Sequence, residues 1–494
     1  MKILSATQIQ QWDAFTIEHE PITSINLMER AAQQCTDWII KNKFIDNSVK
    51  IFCGKGNNGG DGLAIVRQLI EKNIFPSIYI IEFGAKGTED FQNNLARLHQ
   101  LTTDIFFIQS KEFFPEINKN DIIIDALFGS GLNRPLQNLS AELVEHINTS
   151  NAKIISVDVP SGMFLDKSSV GNAIIKANYT LTFQTIKLCF LVAENADYFG
   201  EVKLLEIGLH QEFLKTIETA FQLTTQKNIV SIFKPRKSFS NKGTYGHALL
   251  FAGSKGKMGA AIIASKACLR SGVGLLTVNV DEENLFIIQT AVPEAMAMLQ
   301  EDKIEFEKYT TIGIGPGFGF NKTCSKMFEE IISQFKKPII IDADALTILS
   351  LNKEWLNNIP AGSILTPHPK EFDRVFGNSA NDFERIDKAI ALSKQYSFIL
   401  ILKGHYTLIA ANGKGFFNTT GNAGMAKGGS GDMLTGILTS LLAQCYNALQ
   451  ASVLGVYIHG LSADISLENQ SLESLLPSDM IEHLGKAFKI ISSN

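Results

Sequence analysis

The chain has no run of about 18 apolar residues, the length that crosses a bilayer as a helix. Its most apolar stretch, Met433 to Ile465, is interrupted by Gln444, Asn447, Gln450 and His459 and reads as buried helices. The opening residues, Met1 to Gln8, lack an apolar h-region, so no secretory signal is expected. Six cysteines are present (Cys35, Cys53, Cys189, Cys268, Cys324, Cys445), with no CxxC pair and no zinc-like spacing. Free thiols in a reducing compartment follow, and a cytoplasmic protein without membrane contact is expected. Basic excess is also missing. With 45 Lys+Arg against 50 Asp+Glu the net charge is −5, which argues against a nucleic-acid partner.

What is present is 494 residues, 45% apolar and 19% charged. That length and composition suit two to four globular domains with sizeable cores. Residues from about 6 to 40 carry helical spacing (Ile9, Trp12, Phe15, then Leu27, Ala31, Ala32), interrupted at Pro21. A buried strand, Val49 to Cys53, runs into Gly54-Lys55-Gly56-Asn57-Asn58-Gly59-Gly60-Asp61-Gly62. A helix follows through Leu63, Val66, Leu69 and Ile70. Strand, glycine loop and helix in that order form a Rossmann-type unit, although neither GxGxxG nor GK[ST] occurs here. The Asn57 and Asn58 amides suit ribose or phosphate oxygens, or a cation. An ordinary βα turn usually needs only two glycines.

Further strands are expected at 77–81, 121–125, 154–158 and 180–183. Open parallel sheets bind ligands beyond the carboxyl ends of their strands. Four ends here carry suitable residues: Asn57/Asn58/Asp61, Asp125/Gly129/Gly131, Asp158/Ser161 and Lys187. Each Asp alone could cap a helix; at equivalent positions they read as one site. The pattern then weakens. Residues 210–240 are polar, with a basic cluster at Lys234, Arg236 and Lys237, and are expected to form a linker. This places one domain at 1–222 and a second at 223–494.

The second half repeats the arrangement. His247 to Gly253 enters the loop Gly253-Ser254-Lys255-Gly256-Lys257-Met258-Gly259-Ala260, and a helix follows. Later strands run into Gly315-Pro316-Gly317-Phe318-Gly319, Asp342-Ala343-Asp344, Thr366-Pro367-His368-Pro369 and Lys403-Gly404-His405-Tyr406-Thr407. The prolines hold the backbone extended on either side of His368, whose role is either structural or to contact substrate. Asp342 and Asp344 either orient a metal-bound phosphate or cap a turn. The last loop, Gly421 to Asp432, has five glycines in twelve residues and leads into a helix. Its amides can converge on an anion, with the helix N-terminus adding positive potential. Asp432 either caps that helix or removes a proton from a bound substrate.

GNNGGDGL, DALFGSGL and VDVPSG, within about 1–220, resemble the YjeF N-terminal family of NAD(P)H-hydrate epimerases. The resemblance implies that Asn57, Asn58, Gly59, Gly60 and Asp61 bind substrate. It implies the same for Gly129, Ser130, Gly131, Leu132, Asn133, Arg134, Pro135 and Asp158, with Asp158 also catalytic. It implies a potassium ion held by Asn58, Asp125 and Ser161. Leu188-Cys189 follows Lys187, where the family often has Pro-Gly.

GSKGKMGAA, GPGFG, DADAL, LTPHPKEF, LKGHYT and GNAGMAKGGSGDMLTG, over about 225–494, resemble the ribokinase-like ADP/ATP-dependent NAD(P)H-hydrate dehydratases. That resemblance implies hydrate contacts from Ala260, Gly317, His368 and Asp432. It places Lys403, Gly404, His405, Tyr406, Thr407 and Gly431 on ADP or ATP, used with Mg²⁺. The implied fold is α/β throughout: an N-terminal Rossmann-like α/β/α domain with a parallel sheet, and a C-terminal ribokinase-like α/β/α domain. The implied function is bifunctional repair of hydrated NADH and NADPH, by a homo-oligomer, with Asp432 as general base. Two other readings share features of the sequence: a ribokinase-like kinase of a small vitamin precursor, and a non-catalytic nucleotide-sensing N-terminal domain. LTPHPKEF and GNAGMAKGGSGD favour the dehydratase over the kinase, and Asn58, Asp61, Asp125 and Asp158 argue against the sensor.

Overall fold

A computed structural model describes residues 1–84 and 86–492 and divides, in the main, into Lys2–Thr219 and the chain from Ala220 onward. The first unit contains the strands β1 (Val49–Cys53), β2 (Ser77–Ile81), β3 (Ile105–Ile108), β4 (Ile122–Ala126), β5 (Lys153–Val157), β6 (Tyr179–Phe183) and β7 (Glu201–Leu205). They form one sheet in the order β3-β2-β1-β4-β5-β6-β7, with every pair parallel. Both faces are covered, so the strands read as continuous apolar runs rather than alternating ones. Ile51, Cys53, Ile122 and Ile124 pack with Ala32, Leu63 and Val66 on one face. Phe52 and Ile123 pack with Leu143, Val144 and Ile147 on the other.

Strand order reverses between β1 and β4. In such sheets this switch point opens a crevice at the strand carboxyl ends. The segments leaving β1 and β4 are Gly54–Asp61 and Leu127–Leu132. The asparagine–glycine segment differs from the expected loop. Asn57 is already the first residue of the helix Asn57–Glu71, with Gly56 at the cap. A Cβ on Gly59 would lie 1.8 Å from Gly54 O, so glycine lets the first helical turn press onto the end of β1.

The second unit has β8 (Phe221–Leu223), β9 (His247–Phe251), β10 (Leu275–Val280), β11 (Met296–Leu299), β12 (Thr311–Ile314), β13 (Ile339–Ile341), β14 (Ile364–Leu365), β15 (Ile399–Leu402), β16 (Leu408–Ala411) and β17 (Lys414–Phe417). These lie in the order β8-β17-β16-β15-β14-β13-β12-β9-β10-β11. Pairing is parallel except where β16 turns back between β15 and β17. Here the order reverses between β9 and β12. The loops leaving those strands are joined by Gly253 N donating to Pro316 O at 2.7 Å.

Residues 210–240 are not an extended linker. They hold helices Glu212–Thr216 and Gln226–Ile232 and the strand β8, which pairs with β17. A three-residue strand and a five-residue helix leave too little apolar periodicity to register in sequence.

Candidate active sites

In the first unit a cavity of about 400 Å³ opens at the switch point. Asn57, Asn58, Asp61, Gly129, Ser130, Gly131, Leu132 and Asp158 line it. Gly59 and Gly60 do not; they are buried in packing, with Gly60 against Met28. Asn133, Arg134 and Pro135 also lie outside the lining and are exposed.

Asp158 follows β5 with φ +64°, a left-handed conformation that costs a non-glycine residue about 1 kcal/mol or more. Its carboxylate is held from two sides. Ser130 N–H donates to Oδ2 at 3.3 Å, and Lys187 Nζ donates to Oδ1 at 2.8 Å. Lys187 is 1% exposed and also donates to Thr182 Oγ1 and Phe183 O. The departure at Leu188-Cys189 therefore leaves the lysine inside the cavity. Sequence reasoning missed Asp13 and Trp12, which line the same cavity from the helix Ala6–His19. Burial and the Asp158 charge push Asp13 up to about 7, against the opposing pull of Lys187. Asp61 is raised well above the usual carboxylate range by burial and by Asp158, Asp13 and Asp90.

Asp125 sits behind this cavity, fully buried at the end of β4. Its oxygens accept from Leu127 N, Ser156 Oγ, Ser161 N and Ser161 Oγ. All four donors are neutral, so this buried carboxylate lacks a charged hydrogen-bond donor. Burial raises its pKa despite those hydrogen bonds. Asn58 Nδ2 is buried without a partner, while its Oδ1 lies where a Cβ on Gly129 would touch it. Amide, carboxylate, hydroxyl and the Phe128 carbonyl that Ser161 also meets are all hard oxygens, the donor type a hard cation takes.

In the second unit a cavity of about 410 Å³ is lined by Lys403, Gly404, His405, Thr407 and Gly431. Tyr406 is not in the lining; its ring stacks edge-on against His405. The glycine loop contributes Gly421, Asn422 and Ser430 to the wall; Asn418, Thr420 and His459, missing from the sequence reading, join them. His459 lies in the apolar helix Ala448–Ser466, its Nε2 unpartnered. Burial, with Lys403 adding to it, lowers its pKa to about 4, so the imidazole is neutral at pH 7.

The glycine loop ends at Gly429, whose φ of +96° caps the helix Ser430–Ala443. No side chain caps this terminus, so Asp432 is not a helix cap. Asp432 carries a carboxyl raised to about 6 by burial and Asp342, with Lys403 opposing and Asp344 reinforcing. Asp342 occupies the N-cap position of the helix Ala343–Leu351, but its side chain makes no capping hydrogen bond. Its Oδ1 accepts from Lys403 Nζ at 2.9 Å and its Oδ2 from Thr435 Oγ1 at 2.9 Å. Burial would lower the Lys403 pKa, but Asp342, Glu371 and Asp432 raise it, so the ammonium stays charged.

Ala260, Gly317, His368 and Asp432 lie outside the lining of this cavity. Gly317 and Ala260 adjoin at the switch point, since a Cβ on Gly317 would lie 3.1 Å from that of Ala260. His368 caps the helix Pro369–Phe376, its Nδ1 accepting from Lys370 N and Glu371 N. Nε2 therefore carries the proton, and the side chain is about half exposed. Asp344 accepts from Gly319 N and pairs with Lys257 at 3.3 Å. Among the described residues no group of three or more His, Cys, Asp or Glu is gathered for a metal, and no helix is long and apolar enough to span a membrane.

Fold and sites thus define a two-domain α/β protein, Rossmann-like then ribokinase-like, with strand-end cavities of ligand size in each unit. The YjeF-related protein N-terminus family matches residues 24–189, and the NAD(P)H-hydrate dehydratase family matches 248–486. The bifunctional NAD(P)H-hydrate repair enzyme of Coxiella burnetii is 31% identical over 491 residues, covering 97% of both chains. That of Vibrio cholerae is 32% identical over 486 residues, covering 97% of this chain and 96% of its own. A ribokinase-like superfamily protein of Enterococcus faecalis is 27% identical and covers 56% of this chain and 99% of its own, with a TM-score of 0.51. The chain belongs to the family of bifunctional NAD(P)H-hydrate repair enzymes.

Proposed function

We propose that this chain repairs hydrated NADH and NADPH in two steps. The N-terminal unit interconverts the R and S hydrates at C6 of the nicotinamide ring. The C-terminal unit removes water from the S form using ADP or ATP. The observation that carries this reading recurs in both units: a lysine at a strand end, buried in the first unit and largely covered in the second, is fixed by one aspartate, and a second aspartate with a raised pKa stands beside the pair. In the first unit these are Lys187, Asp158 and Asp13; in the second, Lys403, Asp342 and Asp432.

Hydroxide is a poor leaving group from C6. In the proposed C-terminal reaction Asp432 takes the hydroxyl proton, and the oxygen attacks the terminal phosphorus of ADP. The bridging P–O bond breaks and AMP leaves. The ring nitrogen then expels phosphate, a C5 proton is lost, and NAD(P)H results. Lys403 and the amides opening the helix Ser430–Ala443 stabilise charge on the transferring group. Hydrate contacts are assigned to Ala260, Gly317 and His368, and the nucleotide to Lys403–Thr407 and Gly431. Mg²⁺ binds mainly through phosphate oxygens with few protein carboxylates, so the absence of a carboxylate cage among the described residues suits it. It would supply charge neutralisation on the nucleotide, with Asp344 as the protein carboxylate to share it. In the N-terminal unit potassium would be held by Asn58, Asp125 and Ser161, where it would balance the Asp125 charge.

Phosphate accounting separates this reading from a small-molecule kinase. With the S hydrate and ADP, one inorganic phosphate and one AMP should appear for each NADH formed. A stable phosphorylated organic product, with no free phosphate, would identify a kinase.

A further inference from the structure

The mechanism above leaves Asp13 unused. It follows Trp12 in the helix Ala6–His19, whose start is fixed by the Ser5–Gln8 capping box. Trp12 is 2% exposed, and its Nε1 donates to His210 O at 2.9 Å, which locks this turn of helix against the cavity. Both residues line the cavity. Among the described residues no hydrogen bond engages the Asp13 carboxyl. Asp158, by contrast, is immobilised by Lys187 and the Ser130 amide. The charged and titratable groups facing Asp13 across the cavity are Asp158, Lys187 and Asp61. One ammonium cannot balance three ionised carboxylates in a half-enclosed space, so protons remain on some of them. Burial and the neighbouring carboxylates raise Asp61, and Asp13 is pushed up to about 7.

We propose that Asp13 is the proton-transfer residue of the N-terminal reaction, giving a proton to the C6 hydroxyl of the hydrated nicotinamide and taking it back. The proposal rests on the epimerase reading above. The C6–O bond breaks with its electron pair on oxygen, the Asp13 proton completes a water molecule, and the N1 lone pair forms an N1=C6 iminium. Water then attacks C6 from the opposite face. Its extra proton returns to Asp13 and the electron pair returns to N1. Nothing is consumed, and the cation forms in a cavity lined with carboxylates. Asp158 and Lys187 stay fixed as an ion pair.

The test follows equilibration of purified R hydrate by the full-length chain, without ADP or ATP. Asp13→Asn should lower kcat by about 100-fold or more while KM changes less than threefold. Wild-type kcat should fall as pH rises through about 7, since the protonated form acts, and the Asn variant should lose that inflection. Asp13→Glu should recover part of the rate and the inflection. A Glu variant that folds but is as slow as Asn, with no inflection, would overturn the proposal. So would an Asn variant with kcat within threefold of wild type, or one altered only in KM. A wild-type chain that fails to equilibrate the epimers removes the underlying reading as well; an unaffected variant of an active wild type removes this proposal alone.

Discussion

Lys403 Nζ donates to Asp342 Oδ1 at 2.9 Å, and this pair abuts the turn that opens the helix Ser430–Ala443. A Cβ on Gly431 would lie 3.5 Å from Asp342 Oδ2 and 3.6 Å from Lys403 Nζ. The pair therefore ties the ends of β13 and β15 to the glycine loop. Asp342 is buried and Lys403 largely covered. Removing the lysine leaves the Asp342 charge uncompensated, which costs at most about 3 kcal/mol, the lower end for a fully buried pair. Lys403→Ala should destabilise the C-terminal unit by that order in urea denaturation. Asp342→Ala added to it should recover part of the loss. Additive losses would mean that the two charges do not compensate each other.

The proposed role of Asp432 as general base predicts a defined pH dependence for the C-terminal reaction. A base must be ionised, and its carboxyl is raised to about 6. Dehydration should therefore be slow at pH 5, rise through about pH 6 and level off above it. Asp432→Asn should reduce kcat by about 100-fold or more and flatten the profile. Stability runs the opposite way. An aspartate raised above its unfolded value of about 3.9 favours the fold below that pH, and the advantage is lost as pH rises through about 6. The Asn variant should thus be more stable than wild type at pH 8, as read by thermal unfolding.

The proposed potassium ligands Asn58, Asp125 and Ser161 all belong to the N-terminal unit, so the proposal predicts a cation requirement confined to the first step. Replacing potassium by the bulkier tetramethylammonium should slow epimerisation and leave dehydration of pure S hydrate unchanged. Ser161→Ala should weaken the potassium dependence. Equal epimerisation rates in both salts would refute the assignment.

Gly59 offers a test of the fold beneath the site. An added Cβ would meet Gly54 O at 1.8 Å, backbone against backbone in a helix that cannot shift without leaving β1. Gly59→Ala should cost at least about 3 kcal/mol, the upper end of ordinary overpacking. Epimerisation should disappear while S-hydrate dehydration persists. An Ala variant with wild-type epimerisation would show that the helix can move.

The glycine loops that leave the strands at both switch points are legible in the sequence, whereas the strand order that makes them switch points is not. Asp158, Lys187 and Lys403 also follow buried strands, which made their placement readable. Asp13 does not. It lies on a helix with no motif around it, and only the return of that helix to the cavity gives it chemistry. His459 is hidden for a similar reason, as a polar residue in a helix whose apolar surroundings read as core. The β16–β17 hairpin and β11, of four residues per strand, are absent from the sequence reading. Tyr406 and Asn133–Pro135 mark the converse: neighbours of site residues in sequence whose backbone path carries them away from the cavity.

The most direct test supplies the full-length chain with a known mixture of R and S hydrates of NADH, Mg²⁺ and ADP or ATP, and follows NADH absorbance. Two linked activities predict regeneration of nearly all the hydrate, because the N-terminal unit refills the S form as the C-terminal unit drains it. A rapid rise that stops at the initial S fraction, then creeps at the uncatalysed rate, would contradict the two-step account. No rise with either nucleotide would contradict the dehydratase itself.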